Sequence, residues 1–244
     1  MPKPLSQAKS SPRPLRNLLA SAALLAVSLG GARAALAEDG VQPDWRVATD
    51  VDPIGSGDRL HGPSAAPLSV IVWLDPECPY CKVLGRTPET VVDASGGQAN
   101  LAVRLYPLPF HGANAIMASL SALCVGDQGG SAAYYRFLDS WLDRTATNGA
   151  GIGAGATPNA DPVADLAVAS GAPDRSQLAA CTTAAATATR LGNEMRGAER
   201  AHLAGTPAIA VRNNASGKTI MVSGAIEADD LKAALDYMAK QSAR

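Results

Sequence analysis

The run Leu68-Ser69-Val70-Ile71-Val72-Trp73-Leu74, followed at once by Asp75-Pro76-Glu77-Cys78-Pro79-Tyr80-Cys81, constrains the fold more than any other part of the chain. A nearly continuous apolar run of this length is expected of a central strand buried on both faces. Asp75-Pro76 ends the strand, and Pro79 suits the first position of a helix, where its missing N–H costs nothing. The two thiols therefore fall at a strand-to-helix switch. Cys78, at the helix start, meets unsatisfied N–H groups and the positive end of the macrodipole. Such a site lowers a thiol pKa below its free value of about 8.5. Cys81 lies one turn further in, within reach of a mixed disulfide formed at Cys78. The spacing points to redox thiols, with Cys78 attacking and Cys81 resolving. Two blander readings compete, a structural disulfide and half of a zinc site. Zinc would want two further Cys or His at ligand spacing. His61, His111 and His202 are scattered and read as surface or supporting residues, while Cys124 and Cys181 lie far away in sequence. No metal site is expected, and exchange between thiols calls for no cofactor.

The rest of the chain supplies the frame. A helix is expected from Pro79 towards Ala94, with Pro88 kinking or dividing it, and Gly96-Gly97 closes that unit. Leu101–Tyr106 reads as the next strand, so the order is strand, helix, strand, a βαβ unit that is usually right-handed and parallel. Ile116, Leu120, Leu123 and Cys124 share one face of a helix, and Tyr134, Leu138, Trp141 and Leu142 repeat the spacing in a second. Thr145–Pro162 is rich in Gly, Ala, Asn and Thr and reads as a flexible loop. Helical patterning resumes around Val163–Val168 and from Arg175 to about His202. Ala208–Val211 and Thr219–Val222, joined by a polar turn at Asn213–Gly217, form an expected antiparallel hairpin. A helix carrying Leu231, Leu235 and Met238 ends the chain. The expected class is α/β, βαβ then ββα, with an inserted helical block at about 113–203.

The first residues point to export. Lys3, Lys9, Arg13 and Arg16 precede an uncharged stretch from Asn17 to Gly31 that is too short to span a bilayer comfortably. Ala32-Arg33-Ala34 and Ala35-Leu36-Ala37 offer small residues at signal-peptidase spacing, so residues 1–37 read as a cleaved Sec-type signal peptide, cut after Ala34 or Ala37. An uncleaved anchor is the alternative. Arg13 and Arg16 are not adjacent, which argues against a twin-arginine signal. Residues 38–66, rich in Pro, Gly and Asp, read as an extended arm or linker with Trp45-Arg46-Val47 as its strand fragment, and 67–244 as the domain. The four cysteines are an even number, and an exported chain meets oxidising conditions that permit disulfides. A net charge of −1 gives no electrostatic reason to expect nucleic acid or an anionic membrane as partner.

Asp75-Pro76-Glu77-Cys78-Pro79-Tyr80-Cys81-Lys82 after an apolar strand resembles the active site of the DsbC/DsbG family of periplasmic thiol:disulfide interchange proteins, the Cys-Pro-Tyr-Cys tetrad being the DsbG-type form. Val103-Arg104 with Pro107, Phe110 and Gly112 is similar to the strand and loop that follow there. Thr206-Pro207 resembles the family's cis-proline loop, and Gly224 with the last helix its C-terminal end. The resemblance covers roughly residues 60 to 240. It implies a thioredoxin-like fold, redox thiols at Cys78 and Cys81, and a substrate site formed by Pro79, Tyr80, Thr206 and Pro207. Cys124 and Cys181 are similar to the family's structural cysteine pair, though two free buried thiols are the alternative. Implied partners are exported proteins carrying thiols or disulfides and a DsbD-like membrane reductant. Two departures stand out. Residues 38–66 are too few for the family's N-terminal dimerisation domain, so the chain is expected as a monomer or weak dimer. Position 72, where thioredoxins place a buried acid, is Val. The expected function is a reductase or isomerase-like thiol:disulfide oxidoreductase of the periplasm. A DsbA-like oxidase is the runner-up, and a thiol-based metal carrier a further alternative.

Overall fold

In the computed structural model, residues 45–154 and 160–241 are described. The signal peptide read at 1–37 lies outside them. Among the described residues, no helix is long and apolar enough to cross a membrane.

A six-stranded sheet organises the chain, in the order β1-β6-β5-β3-β4-β2. Its centre is β3 (Leu68–Leu74), all seven of whose residues are buried. After β3 come α1 (Pro79–Leu84) and α2 (Thr87–Ala94), then β4 (Ala99–Leu105), which pairs parallel with β3 from Leu68↔Ala99 to Leu74↔Leu105. The helix expected from Pro79 to Ala94, kinked or divided at Pro88, is divided instead at Gly85-Arg86. Pro88 falls in the first turn of α2, where a proline is tolerated. On the other side of β3, β5 (Ala208–Asn213) pairs antiparallel, and β6 (Thr219–Ser223) extends the sheet from β5. The last helix, α7 (Ala228–Ala239), packs back on α2.

Residues 45–66 are built into the sheet. β1 (Arg46–Val47) pairs with β6, and β2 (Leu60–His61) pairs with β4, so this segment closes both edges. Edge strands this short leave little unpaired backbone for another chain to use. Arg104 of β4 fixes the intervening loop. It donates to both carboxylate oxygens of Asp58 and to the carbonyls of Asp52 and Pro53. A bidentate guanidinium–carboxylate pair is among the stronger polar contacts a protein can make.

The alternation of a strand divides the core into two layers. Val70, Val72 and Leu74 of β3 face the larger one with α1, α2, α7 and the helical block. Ile71 and Trp73 face the smaller one, with Ala208, Ala210 and Met221 of the sheet and Ala198, Ala201 and Leu203 around the end of a later helix. That later helix belongs to the inserted block, which comprises α3 (Gly112–Arg144), α4 (Pro162–Ser170), α5 (Arg175–Thr182) and α6 (Ala185–Arg200). The two helices expected between Ile116 and Leu142 meet at Gly130, whose φ of 75° interrupts α3. Hydroxyls dock the block on β4: Tyr134 donates to the Val103 carbonyl at 3.0 Å, and Tyr135 to those of Leu101 and Arg59. Glu194 of α6 accepts from the Leu105 N–H, which lies beyond the reach of β2.

Cys124 and Cys181 are joined by a disulfide that ties α3 to α5 across 57 residues. In the chain-entropy argument a loop of this length stabilises by about 4 kcal/mol. Replacing both with Ala is expected to lower the melting temperature by about 10 °C, while the rate of Cys78 alkylation stays within about twofold of the unmodified protein. Calorimetry and iodoacetamide kinetics on the same variant check both halves.

Candidate active site

Cys78 occupies the N-cap of α1, with extended backbone (φ −78°, ψ 125°) and Pro79 at the first helical position. The chain reaches that point because Leu74 ends a fully buried strand, and the Cys78 N–H then closes a turn on the Asp75 carbonyl at 3.1 Å. Cys81 sits one turn into the helix, fully buried, and both thiols are free. The Cys78 thiol donates to the Thr206 carbonyl at 3.2 Å. The Thr206–Pro207 peptide bond is cis, and β5 starts directly after it. The structure thus brings Cys78, Pro79, Tyr80, Cys81, Thr206 and Pro207 to one place, with the ring of Tyr80 exposed beside the thiols.

The two thiols have opposite electrostatics. Cys78 is pulled down from 9.0 to about 6, first by hydrogen bonding from the Cys81 thiol. Burial opposes this, and the Thr206 side chain and the backbone N–H groups of Cys81 and Tyr80 reinforce it. The last two donors are orphan N–H groups of the first helical turn. Cys81 is pushed well up, mainly by burial and then by the adjacent Cys78 sulfur. Its sulfur lies 3.5 Å from the Asp75 N–H. Position 72 of β3 is a buried valine, so no carboxylate arises there.

From the sequence, Asp75 reads either as a proton shuttle near Cys81 or as the end of the strand, and Glu77 carries no reading. Asp75 and Glu77 are both fully buried. The Asp75 carboxylate accepts from the N–H groups of Glu77 and Leu108 and sits 2.6 Å from His111 Nδ1. His111, expected at the surface or in a supporting layer, is buried in this pair. The Glu77 carboxylate accepts from Trp141 Nε1, Thr145 Oγ1 and the Gly151 N–H. Acids next to the cysteines were visible in the sequence; their partners, up to 74 positions away, were not. Among the described residues, no group of three or more His, Cys, Asp or Glu is arranged to hold a metal ion.

A strand-to-helix turn with an activated and a buried thiol, facing a cis-proline loop, defines a thioredoxin-fold thiol–disulfide oxidoreductase. The comparisons with known proteins agree. The model of a thioredoxin family matches residues 56–237, and the chain belongs to that family. Pseudomonas aeruginosa DsbA2 superimposes with a TM-score of 0.64 at 25% identity, covering 78% of this chain and 98% of its own. Oxidised BdbD from Bacillus subtilis gives 0.64 at 18% identity, with 80% and 100% covered. The thiol-disulfide exchange protein alpha-DsbA2 from Wolbachia pipientis gives 0.59 at 17%, with 74% and 87% covered. The last two carry the fold alone. No curated protein matches the chain. The DsbC/DsbG resemblance read from the sequence therefore holds at the level of fold and thiol–disulfide exchange, and the first of these solved relatives is of DsbA type.

The depressed Cys78 value makes a signed prediction. Alkylation of Cys78 by iodoacetamide should be half-maximal near pH 6 and not near pH 9. Because the folded value lies below the unfolded one, the thiolate stabilises the reduced fold fully only above about pH 9, and that contribution is lost as pH falls through about 6. The oxidised form has no Cys78 thiolate. The gap in melting temperature between the two redox forms should therefore move in favour of the reduced form as pH rises from 5 to about 9. A pH-independent gap would contradict the assignment.

Proposed function

We propose that this chain is a DsbA-like oxidase that donates its Cys78–Cys81 disulfide to thiols of exported proteins. The observation that carries the reading is the stabilised Cys78 thiolate. A dithiol whose reduced form is stabilised in this way is a strong oxidant, because electrons are accepted readily. In the reaction, a substrate thiolate attacks Cys78 Sγ and the Cys78–Cys81 bond breaks. Cys81 leaves and takes up a proton. The second substrate thiolate then attacks its partner sulfur in the mixed disulfide, and Cys78 departs as the thiolate that the helix start stabilises. The substrate gains a disulfide, and this chain keeps the two electrons until a membrane oxidant removes them. The similarity to DsbA2 of Pseudomonas aeruginosa supports this direction, and the signal-like residues 1–37 support export into the periplasm.

The reductase or isomerase-like reading draws on the DsbG-type Cys-Pro-Tyr-Cys tetrad and on Thr206 before the cis-proline. Equilibration with glutathione separates the two. The oxidase reading expects a potential between about −120 and −180 mV, and a value below about −220 mV supports the reductase. Thiol trapping in cells should find the pair oxidised.

Roles within the pair are tested separately. Cys81→Ala leaves an attacking thiol with nothing to resolve the product, so it should accumulate mixed disulfides with substrates on non-reducing gels. Cys78→Ala should accumulate at most about a tenth as many. Equal trapping by both would reverse the assignment.

A further inference from the structure

The loop that follows α3 is gripped by the residues on either side of the cysteine tetrad. On the N-terminal side, the Glu77 carbonyl, one residue before Cys78, accepts from the Asn148 N–H at 2.7 Å. The Glu77 carboxylate accepts from Thr145 Oγ1 at 2.8 Å and from the Gly151 N–H at 3.0 Å. On the C-terminal side, Lys82, one residue after Cys81, donates through Nζ to the carbonyls of Asp143 and Thr145. The tetrad and this loop are therefore fastened together at both ends.

The conformation held there is an uncommon one. Thr147 and Asn148 adopt φ of 65° and 52°, and Gly149 and Gly151 are also positive. A non-glycine residue keeps such a backbone when its surroundings over-determine it. Gly149 passes so close to His111 that a Cβ would stand 2.6 Å from the His111 carbonyl oxygen. Asn114 Nδ2 donates to the Gly149 carbonyl at 2.8 Å. His111 is in turn held by Asp75. The loop is thus set on the same turn that aims the thiols, while Asn148 itself is solvent-exposed. Tyr80 and Phe110, 65% and 76% exposed, are large apolar side chains in the segments this loop is fastened to.

We propose that residues 145–151 form a second wall of the substrate site, distinct from the Thr206-Pro207 segment, and that Glu77 is the positioning residue that sets it. The ligand is the polypeptide segment flanking the substrate cysteine. Asn148 presents a neutral polar side chain to it, and Tyr80 and Phe110 present apolar surface. The inference rests on the exchange reading above, but it does not depend on the direction of electron flow.

The test uses the full mature chain, with glutathione disulfide as the oxidant that regenerates it, and two dithiol peptides that differ only in acidic or basic residues beside the cysteine. Asn148→Asp and Asn148→Lys place opposite charges on the wall at an exposed site. The ratio of kcat/KM for the basic over the acidic peptide should rise about fivefold in the first and fall about fivefold in the second, the upper range for an exposed charge pair. Glu77→Gln keeps one accepting oxygen but sets an amide against the Gly151 N–H. It should raise peptide KM several-fold, by a clearly larger factor than it lowers kcat. A ratio that stays within twofold of the unmodified protein in both Asn148 variants, with normal glutathione exchange, overturns the wall. Glu77→Gln lowering kcat and melting temperature together, with KM unchanged, overturns the positioning role. Failure of the unmodified protein to exchange with glutathione at all sinks the exchange reading, and this inference with it.

Discussion

The hydrogen bonds converging on the turn from Asp75 to Cys78 are the constraint on which the rest of the site depends. Two fully buried carboxylates flank Pro76, and each has several donors. A buried carboxylate without donors would be strongly unfavourable. Here the donors come from separate pieces of chain: the segment after β4, the end of α3 and the loop beyond it. The turn cannot move without leaving several polar groups unsatisfied, which fixes the start of α1 and the orphan N–H groups that face Cys78. Rigidity of this kind lets a helix terminus act on a sulfur with little reorganisation.

From that fixed start follows the asymmetry of the thiols. Both sulfurs are buried in the larger core, but Cys78 faces N–H donors at the helix start, while Cys81 lies one turn deeper, where burial dominates. The same four residues therefore hold one sulfur as an anion and the other as a thiol. The Cys124–Cys181 bond belongs to the same larger core but joins α3 to α5, away from the strand-to-helix turn in sequence.

Much of this was legible in the sequence where local pattern decides structure. The unbroken apolar run at 68–74, the proline after Cys78 and the antiparallel hairpin at the end of the chain each carry their own signal, and the structure has them close to their expected bounds. Residues 45–66 were legible in part: the strand fragment read at Trp45-Arg46-Val47 is β1, while β2 was not anticipated. Strands of two residues have no periodicity to read, and Leu60–His61 acquires its state only by pairing with Leu101 and Ala102. Glu77 was opaque for a related reason: an acid beside a cysteine looks like a surface residue until the chain returns Trp141, Thr145 and Gly151 to it. Of the two readings for His111, surface or supporting, the structure has the second, and its partner Asp75, 36 positions distant, could not be seen in the sequence.

Val72 links this geometry to the direction of electron flow. A reductase must remove the proton from its buried resolving thiol while the mixed disulfide waits, and a carboxylate beneath that thiol would help. At this position the chain has a valine, 1% exposed, and burial holds the Cys81 proton tightly. An oxidase has less need of such a base during substrate turnover. It releases Cys81 from a disulfide, and a sulfur that binds its proton firmly stays a thiol, which disfavours the return attack on the mixed disulfide. The Thr206 side chain lowers both thiols, but for Cys81 it is the least of the causes and does not offset burial. The pairing of a ready thiolate at Cys78 with a reluctant thiol at Cys81 therefore supports donation of the disulfide over its reduction.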